Sequence, residues 1–188
     1  MNILLIAIGS LIILAIIAAV IYNRYVKLKN LNEEGFHEIG ICLQKRLDLI
    51  PGLINVVKGY ALHEKETLEN VIKLRNQMEI IDKKNIDNIE KIKKIENETG
   101  KTLKSIMILQ ENYPDLKANE NFLKLQTQLM QIETEIQRSR RYYNGTARDR
   151  NTFVETFPNN FIGKILGFKK SEFLDITDKV EKTPEIKF

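Results

Sequence analysis

The opening stretch of the chain shows no alternation of apolar and polar positions. From Ile3 to Tyr22 every residue is uncharged, and eight Ile, four Leu and one Val fill thirteen of the twenty places. At ~1.5 Å per residue such a run makes a helix of ~30 Å, the thickness of a bilayer's hydrocarbon core. Thirteen aliphatic side chains at roughly −0.3 to −0.6 kcal/mol each favour insertion by about 4 to 8 kcal/mol. A cleaved signal sequence has a cationic start and an apolar stretch of only ~7 to 15 residues, whereas Met1 and Asn2 alone precede this longer run. The pattern predicts a retained transmembrane anchor over residues 1–23. Arg24, Lys27 and Lys29 follow directly, and flanking cations favour the cytoplasmic side. The expected topology is single-pass, with the N-terminus outside and the remainder in the cytoplasm.

Beyond the span the pattern acquires a helical period, and residues 24–158 read as an antiparallel bundle of long helices. Phe36, Ile39, Leu43, Leu47, Ile50, Ile54, Val57, Ala61, Leu68 and Val71 form one stripe at steps of three and four, with Glu64 taking one slot. Pro51 lies inside this stripe without shifting its phase, which predicts a kink, with Asp48 accepting from backbone amides freed at the break. A short loop with a second helix starting at Pro51 is the alternative. Between Asp82 and Lys104 a thin stripe of Ile86, Ile89, Ile92 and Ile95 continues Ile81. Asp87, Glu90, Glu96 and Glu98 alternate with lysines there, the pattern of a solvated face. Thr99 and Gly100 read as a helix stop, followed by a short helix through Leu103, Ile106, Met107 and Ile108 that ends near Tyr113 and Pro114. Asn119 and Asn121 offer N-cap oxygens for the next helix. That helix carries a heptad-type seam: Phe122, Leu125, Leu129, Ile132, Ile136, Ser139, Tyr143, Thr146, Arg150, Phe153 and Phe157. A rod from Asn121 to Phe157 is too long to stand alone and must be covered by earlier helices or another subunit.

Residues 159–188 form an amphipathic C-terminal segment and a tail. Phe161, Ile162, Ile165, Leu166, Phe168 and Phe173 are interleaved with Lys164, Lys169 and Lys170. Such a segment either caps the bundle or lies on an anionic membrane surface. The charged residues from Thr177 to Phe188 are expected to be disordered.

Composition adds exclusions. Nine Gly and four Pro in 188 residues are too few turn formers for a many-stranded sandwich or barrel, so the fold class is all-α. A mean hydropathy of −0.26 rules against a polytopic membrane protein, because one apolar end is averaged with a charged remainder. The net charge of +4 comes from 29 basic and 25 acidic residues, a mixed surface that designates no partner. Cys42 is the sole cysteine and sits among Ile39, Ile41 and Leu43, which reads as a small core hydrophobe rather than a reactive thiol.

Candidate chemistry is sparse. Glu34 and His37 make one Glu-x-x-His, but a di-iron bundle needs two such pairs and two further glutamates. His63 and Glu64 begin a zincin-like pattern in which Thr67 replaces the second histidine. No metal, cofactor or small-molecule substrate is expected. Arg138, Arg140, Arg141, Arg148 and Arg150, with Tyr142 and Tyr143, resemble a nucleic-acid patch in composition. These arginines spread around a helix rather than along one edge, so nucleic acid is not an expected partner, while an acidic protein surface or lipid headgroups fit better.

Two blocks of sequence resemble the bacterial LemA family. The first comprises Tyr22-Asn23, then Lys45 to Leu53 (Lys-Arg-Leu-Asp-Leu-Ile-Pro-Gly-Leu), Val57-Lys58-Gly59-Tyr60-Ala61 and His63-Glu64. The second comprises Tyr113 to Phe122, Leu125-Gln126, Glu133, Arg141, Tyr143-Asn144 and Phe157-Pro158. Two positions depart from the family's habit: Gly52 stands where Asn is usual, and no Trp lies near Phe36. The resemblance implies a bacterial inner-membrane protein with one N-terminal span and a cytoplasmic antiparallel bundle. It brings no catalytic residue. Arg46, Asp48, Pro51, Lys58, Tyr60, His63, Glu64, Arg141, Tyr143 and Asn144 are candidate partner-contact or architectural positions. The function expected is a non-enzymatic scaffold or adaptor that presents the bundle to protein partners or to copies of itself. The alternative is a regulatory subunit of a membrane-associated enzyme complex, and a direct hydrolase would require a pocket of convergent ionisable groups.

Overall fold

The structure, a computed structural model, describes residues 2–60 and 89–174. Among these residues there is no strand. The helices are α1 (Asn2–Asp48), α2 (Ile50–Lys58), α3 (Ile89–Asn112), α4 (Pro114–Lys117), α5 (Glu120–Glu155) and α6 (Asn159–Leu166). Ala61, His63, Glu64, Leu68, Val71, Ile81 and Ile86 lie outside the described residues, as does the tail from Thr177.

Helix α1 is one rod whose surroundings change along its length. Its apolar part from Ile3 (84% exposed) to Val20 (63% exposed) has no cover among the described residues, and burial begins at Ile21 (8% exposed). It is long and apolar enough to cross a membrane. From Tyr25 onward, the buried face of Leu28, Asn32, Phe36, Ile39, Leu43 and Leu47 lies against α5. The two helices run antiparallel: Arg46 meets Glu133, Asn32 meets Tyr143 and Thr146, and Tyr25 meets Arg150. They approach most closely at Gly35, where a Cβ would sit 3.0 Å from the Tyr142 ring and 3.1 Å from the Tyr143 Cα. A residue without a side chain is needed there for the backbones to come this near.

Pro51 produces a break of one residue rather than a loop. Helix α2 resumes at Ile50, and the Leu53 amide donates to the Leu49 carbonyl across the junction at 3.1 Å. The stripe keeps its phase, with Ile50, Leu53, Ile54 and Val57 all buried. Asp48 does not cap the break: it is exposed and accepts from Gln44 Nε2 at 2.9 Å, one turn back on α1. Proline at the second position of α2 needs no amide partner, so the junction leaves little for a cap to satisfy.

Helix α3 also departs from the expected boundaries. It passes through Thr99 and Gly100 without stopping, because Thr99, Ile92, Leu103 and Ile106 are buried along one side, and such packing outweighs the ~1 kcal/mol propensity penalty of one glycine. Glu96 is not solvated either. It is buried and paired with Arg140 of α5. Helix α5 starts at an N-cap, Asn119, whose side-chain oxygen accepts from the Phe122 amide at 3.0 Å. It ends at Glu155, so Phe157 lies beyond the seam and is exposed. Phe122, Leu129, Ile136, Ser139, Tyr143, Thr146 and Arg150 form its buried face.

Candidate functional site

The densest polar assembly in the described residues lies where α1 leaves its apolar segment. After α6 the chain turns back at Gly167, a left-handed residue (φ 72°) that terminates the helix, and the Phe168 amide donates to the Gly163 carbonyl at 2.8 Å. Residues 168–174 then run along the groove between α1 and α5 as a strap. Phe168 stacks on Tyr25, with ring centroids 3.9 Å apart. Two asparagines on α5 grip the strap's backbone in the same way. Asn151 accepts from the Ser171 amide (2.7 Å) and donates to the Ser171 carbonyl (2.9 Å). Asn144, two turns earlier, accepts from the Leu174 amide (2.9 Å) and donates to its carbonyl (3.3 Å). Tyr143 donates its hydroxyl to the Glu172 carbonyl at 2.8 Å.

Beneath the strap is a closed hydrogen-bond network. Ser171 Oγ donates to Asn32 Oδ1 (2.6 Å), whose Nδ2 donates to Thr146 Oγ1 (3.1 Å) and the Tyr143 carbonyl (3.3 Å). Arg150 donates to Ser171 Oγ (2.8 Å) and Tyr25 Oη (3.0 Å), and Tyr25 Oη also accepts from the Lys169 amide (3.0 Å). Among the described residues no carboxylate pairs with Arg150; its partners there are neutral oxygens and the Tyr25 ring, whose centroid lies 5.3 Å from its guanidinium carbon. Burial raises the Tyr143 phenol above its ordinary range; Glu172 adds to the rise and Arg150 opposes it. Ser139, Thr146 and Arg150, the polar interruptions of the seam, are thereby accounted for: the last two hold this network, and Ser139 faces Cys42 with Oγ and Sγ 3.6 Å apart.

The residues singled out from sequence fall into three groups. Arg46, 3% exposed, donates to Glu133 Oε2 at 3.0 Å, while its Nε and other terminal nitrogen have no hydrogen-bond partner among the described residues. Pro51 is half-buried at the junction, and a Cβ on Gly52 would sit 3.3 Å from Leu125. Tyr60 Oη accepts from Asn119 Nδ2 at 3.1 Å. The two blocks of motif therefore meet each other at Arg46 with Glu133, Gly52 with Leu125 and Tyr60 with Asn119. Tyr143 and Asn144 serve the strap. Asp48, Lys58 and Arg141 are exposed. His63 and Glu64 lie outside the described residues.

Asn32, Asn151, Ser171 and Tyr25 complete the network and were not singled out from sequence. The signal available was a pair of asparagines seven residues apart on a long helix, a spacing that puts both side chains on one face. Among the described residues no group of three or more His, Cys, Asp or Glu side chains is placed to hold a metal.

These features define a class: an all-α chain whose first helix carries an apolar segment straight into an antiparallel bundle closed by a C-terminal strap. The sequence profile of the LemA family matches residues 35–188, and the chain belongs to that family. It is similar to protein LemA of Metamycoplasma hominis, 28% identical over 144 residues, which cover 77% of this chain and 64% of that protein. It is similar to magnetosome protein MamQ 2 of Paramagnetospirillum magneticum, 30% identical over 74 residues, 39% of this chain and 27% of that protein. Magnetosome protein MamQ of Magnetospirillum gryphiswaldense is 27% identical over 74 residues, with the same shares. The chain spans less than two thirds of the length of each of these relatives.

Proposed function

We propose that this protein is a membrane-anchored, non-enzymatic scaffold or adaptor. Its N-terminus lies outside the inner membrane, and its bundle faces the cytoplasm, where it meets protein partners or copies of itself. One observation carries the reading: α1 runs without a break from side chains that no described residue covers into side chains that form the core. Exposed Ile and Leu at this density are stable in hydrocarbon and not in water. The same rod then holds the bundle at a fixed distance from the bilayer. An architectural role for the motif also supports the reading. Arg46, Tyr143 and Asn144 are engaged inside the protein, which leaves partner contact to exposed faces such as Leu123, Met130, Arg141 and Tyr142 of α5.

Photo-crosslinking from Met130 and Arg141 in intact bacteria, followed by fractionation and mass spectrometry, tests this function. The expected result is a membrane-bound protein that crosslinks to a second copy or to a defined protein, with the bundle resistant to protease added outside the cells. Recovery in the supernatant would remove the anchor. Crosslinks confined to one enzyme complex would favour the regulatory-subunit reading.

A further inference from the structure

We infer that α6 and the turn before it lie in the headgroup region of the anionic bilayer that α1 enters, with Phe157, Phe161 and Ile165 among the acyl chains and Lys164, Lys169 and Lys170 beside the phosphates. The inference rests on the reading of α1 as a membrane span. Its first support is register. In the antiparallel pair, Asn32 lies opposite Tyr143 and Thr146, and Tyr25 lies opposite Arg150. Carried one turn further at the same rise, Glu155 falls level with about residue 20 of α1. The chain thus leaves α5 at the boundary where burial of α1 begins.

The strap fixes the other end of α6 at almost the same level. Phe168 stacks on Tyr25 and lies 6.4 Å from Tyr22, ring centre to ring centre, while the Lys169 amide is bound to Tyr25 Oη. Helix α6 is therefore bracketed between the end of the apolar segment and Tyr25. Its inner side is closed by Gly163 against Phe168. Its outer side is open and apolar: Phe157 is 81% exposed, Phe161 70% and Ile165 83%. Phe161 and Ile165 are one turn apart and share a face.

Charge selects the occupant. Residues 159–170 contain three lysines and no acid; Lys170 is paired with Glu155 of α5, and Lys164 and Lys169 are exposed. Arg24 and Lys27 of α1 are exposed at the same level, and Arg150 lies buried there with no carboxylate partner among the described residues. A symmetric contact between two copies would set this cationic surface against itself. An anionic leaflet attracts it, and the apolar side chains enter the acyl boundary as in other interfacial helices.

The test uses the full chain in nanodiscs of phosphatidylcholine with about 30% phosphatidylglycerol, an anionic fraction large enough to attract basic segments. With Cys42→Ala as background, single variants Phe161→Cys, Ile165→Cys, Ile12→Cys and Met130→Cys carry an environment-sensitive fluorophore, read against lipids spin-labelled near the headgroup and, for position 12, against lipids spin-labelled deep in the acyl chain. The expected result is several-fold stronger quenching from positions 161 and 165 than from position 130. That quenching should weaken on removal of phosphatidylglycerol or on the double change Lys164→Glu and Lys169→Glu. Quenching from position 12 but not from 161 and 165 overturns the inference and leaves the span standing. No quenching from any of the three overturns both. Quenching indifferent to lipid charge, or disulfide linkage between copies of the unlabelled Phe161→Cys variant without quenching of the labelled one, also overturns it.

Discussion

Replacing Asn151 by Ala removes two hydrogen bonds from a single strap residue, the 2.7 Å bond from the Ser171 amide and the 2.9 Å bond to its carbonyl. Bonds of this kind contribute ~1 kcal/mol each, and a half-buried peptide group left without a partner adds up to ~1 more. Opening of the strap should become easier by ~2 to 3 kcal/mol, a factor of about 30 to 150. Residues 168–174 are held by few other groups, chiefly Tyr25, Tyr143, Asn144 and Arg150, and a short segment with few anchors opens as one unit. Amide hydrogen exchange on the full chain in detergent reads this directly. The Lys169, Ser171 and Leu174 amides should accelerate together by that factor, while amides at the centre of α5 around Ile136 keep their rates. Acceleration of Ser171 alone would refute a cooperative strap, and unchanged rates would refute the role of Asn151. Asn144→Ala should give a similar acceleration, and the double variant less than the product of the two, because a strap already open has less to lose.

Three further predictions concern the bundle. Ile136 is fully buried in the seam, so Ile136→Ala should lower stability by ~2 to 5 kcal/mol in a thermal or denaturant melt, and a loss below ~1 kcal/mol would mean that this seam is not the core. The raised phenol of Tyr143 makes stability depend on pH at the alkaline end. Its contribution is complete while the phenol is protonated, below the unfolded value of ~10, and is lost as pH rises through the higher folded value, since a phenolate cannot donate to the Glu172 carbonyl. Tyr143→Phe should remove that part of the alkaline slope in pH-dependent melts and about 1 kcal/mol at neutral pH. Arg46→Met keeps the buried stem without the charge and should leave stability within ~1 kcal/mol of the parent or above it, whereas Glu133→Ala strands the guanidinium and should cost ~1 to 3 kcal/mol, reduced because Glu133 is partly exposed. If Arg46→Met abolished partner crosslinks at unchanged stability, Arg46 would be a contact residue instead.

The parts of the fold legible in sequence are those governed by period. Phe36 to Val57 and Phe122 to Arg150 recur at steps of three and four because each element buries one stripe; the first is buried throughout, and the second except at the partly buried Leu125 and Ile132. Phase also identified the kink at Pro51, since a true loop would have reset it. Local signals failed where tertiary contact overrode them. Thr99 and Gly100 read as a stop by propensity, yet burial of Thr99 carries α3 through. Asp48 read as a cap, but a proline-containing first turn leaves little to cap, and its carboxylate turned to Gln44. Glu96 read as solvated because a single acid among lysines gives no hint of a distant Arg140. The strap was legible only as two alternatives. Its anchors, Asn32, Asn144, Asn151 and Ser171, are polar residues of ordinary kinds whose partnership exists only once α1 and α5 are side by side.

Of the two alternatives for the C-terminal segment, capping describes the strap, and lipid contact is the proposed role of α6. Residues 168–174 close the groove between α1 and α5, and in doing so they orient α6 so that its apolar side cannot face the bundle. The strap is held by backbone hydrogen bonds together with two apolar anchors, Phe168 stacked on Tyr25 and Leu174 in the core. With α1 read as a span, the surroundings change from lipid to water near Tyr22 and Tyr25, where an apolar latch alone would gain little by leaving one apolar medium for another. Hydrogen bonds to Asn144 and Asn151 keep their value on either side of that boundary, because an unpaired peptide group is costly in lipid and in a protein groove alike. Aromatic rings with polar tips suit the same level, which is where Tyr25 stacks on Phe168 and offers its oxygen to Arg150 and Lys169. The motif residues thus secure the bundle at two places: Arg46, Gly52 and Tyr60 around the kink, Tyr143 and Asn144 under the strap.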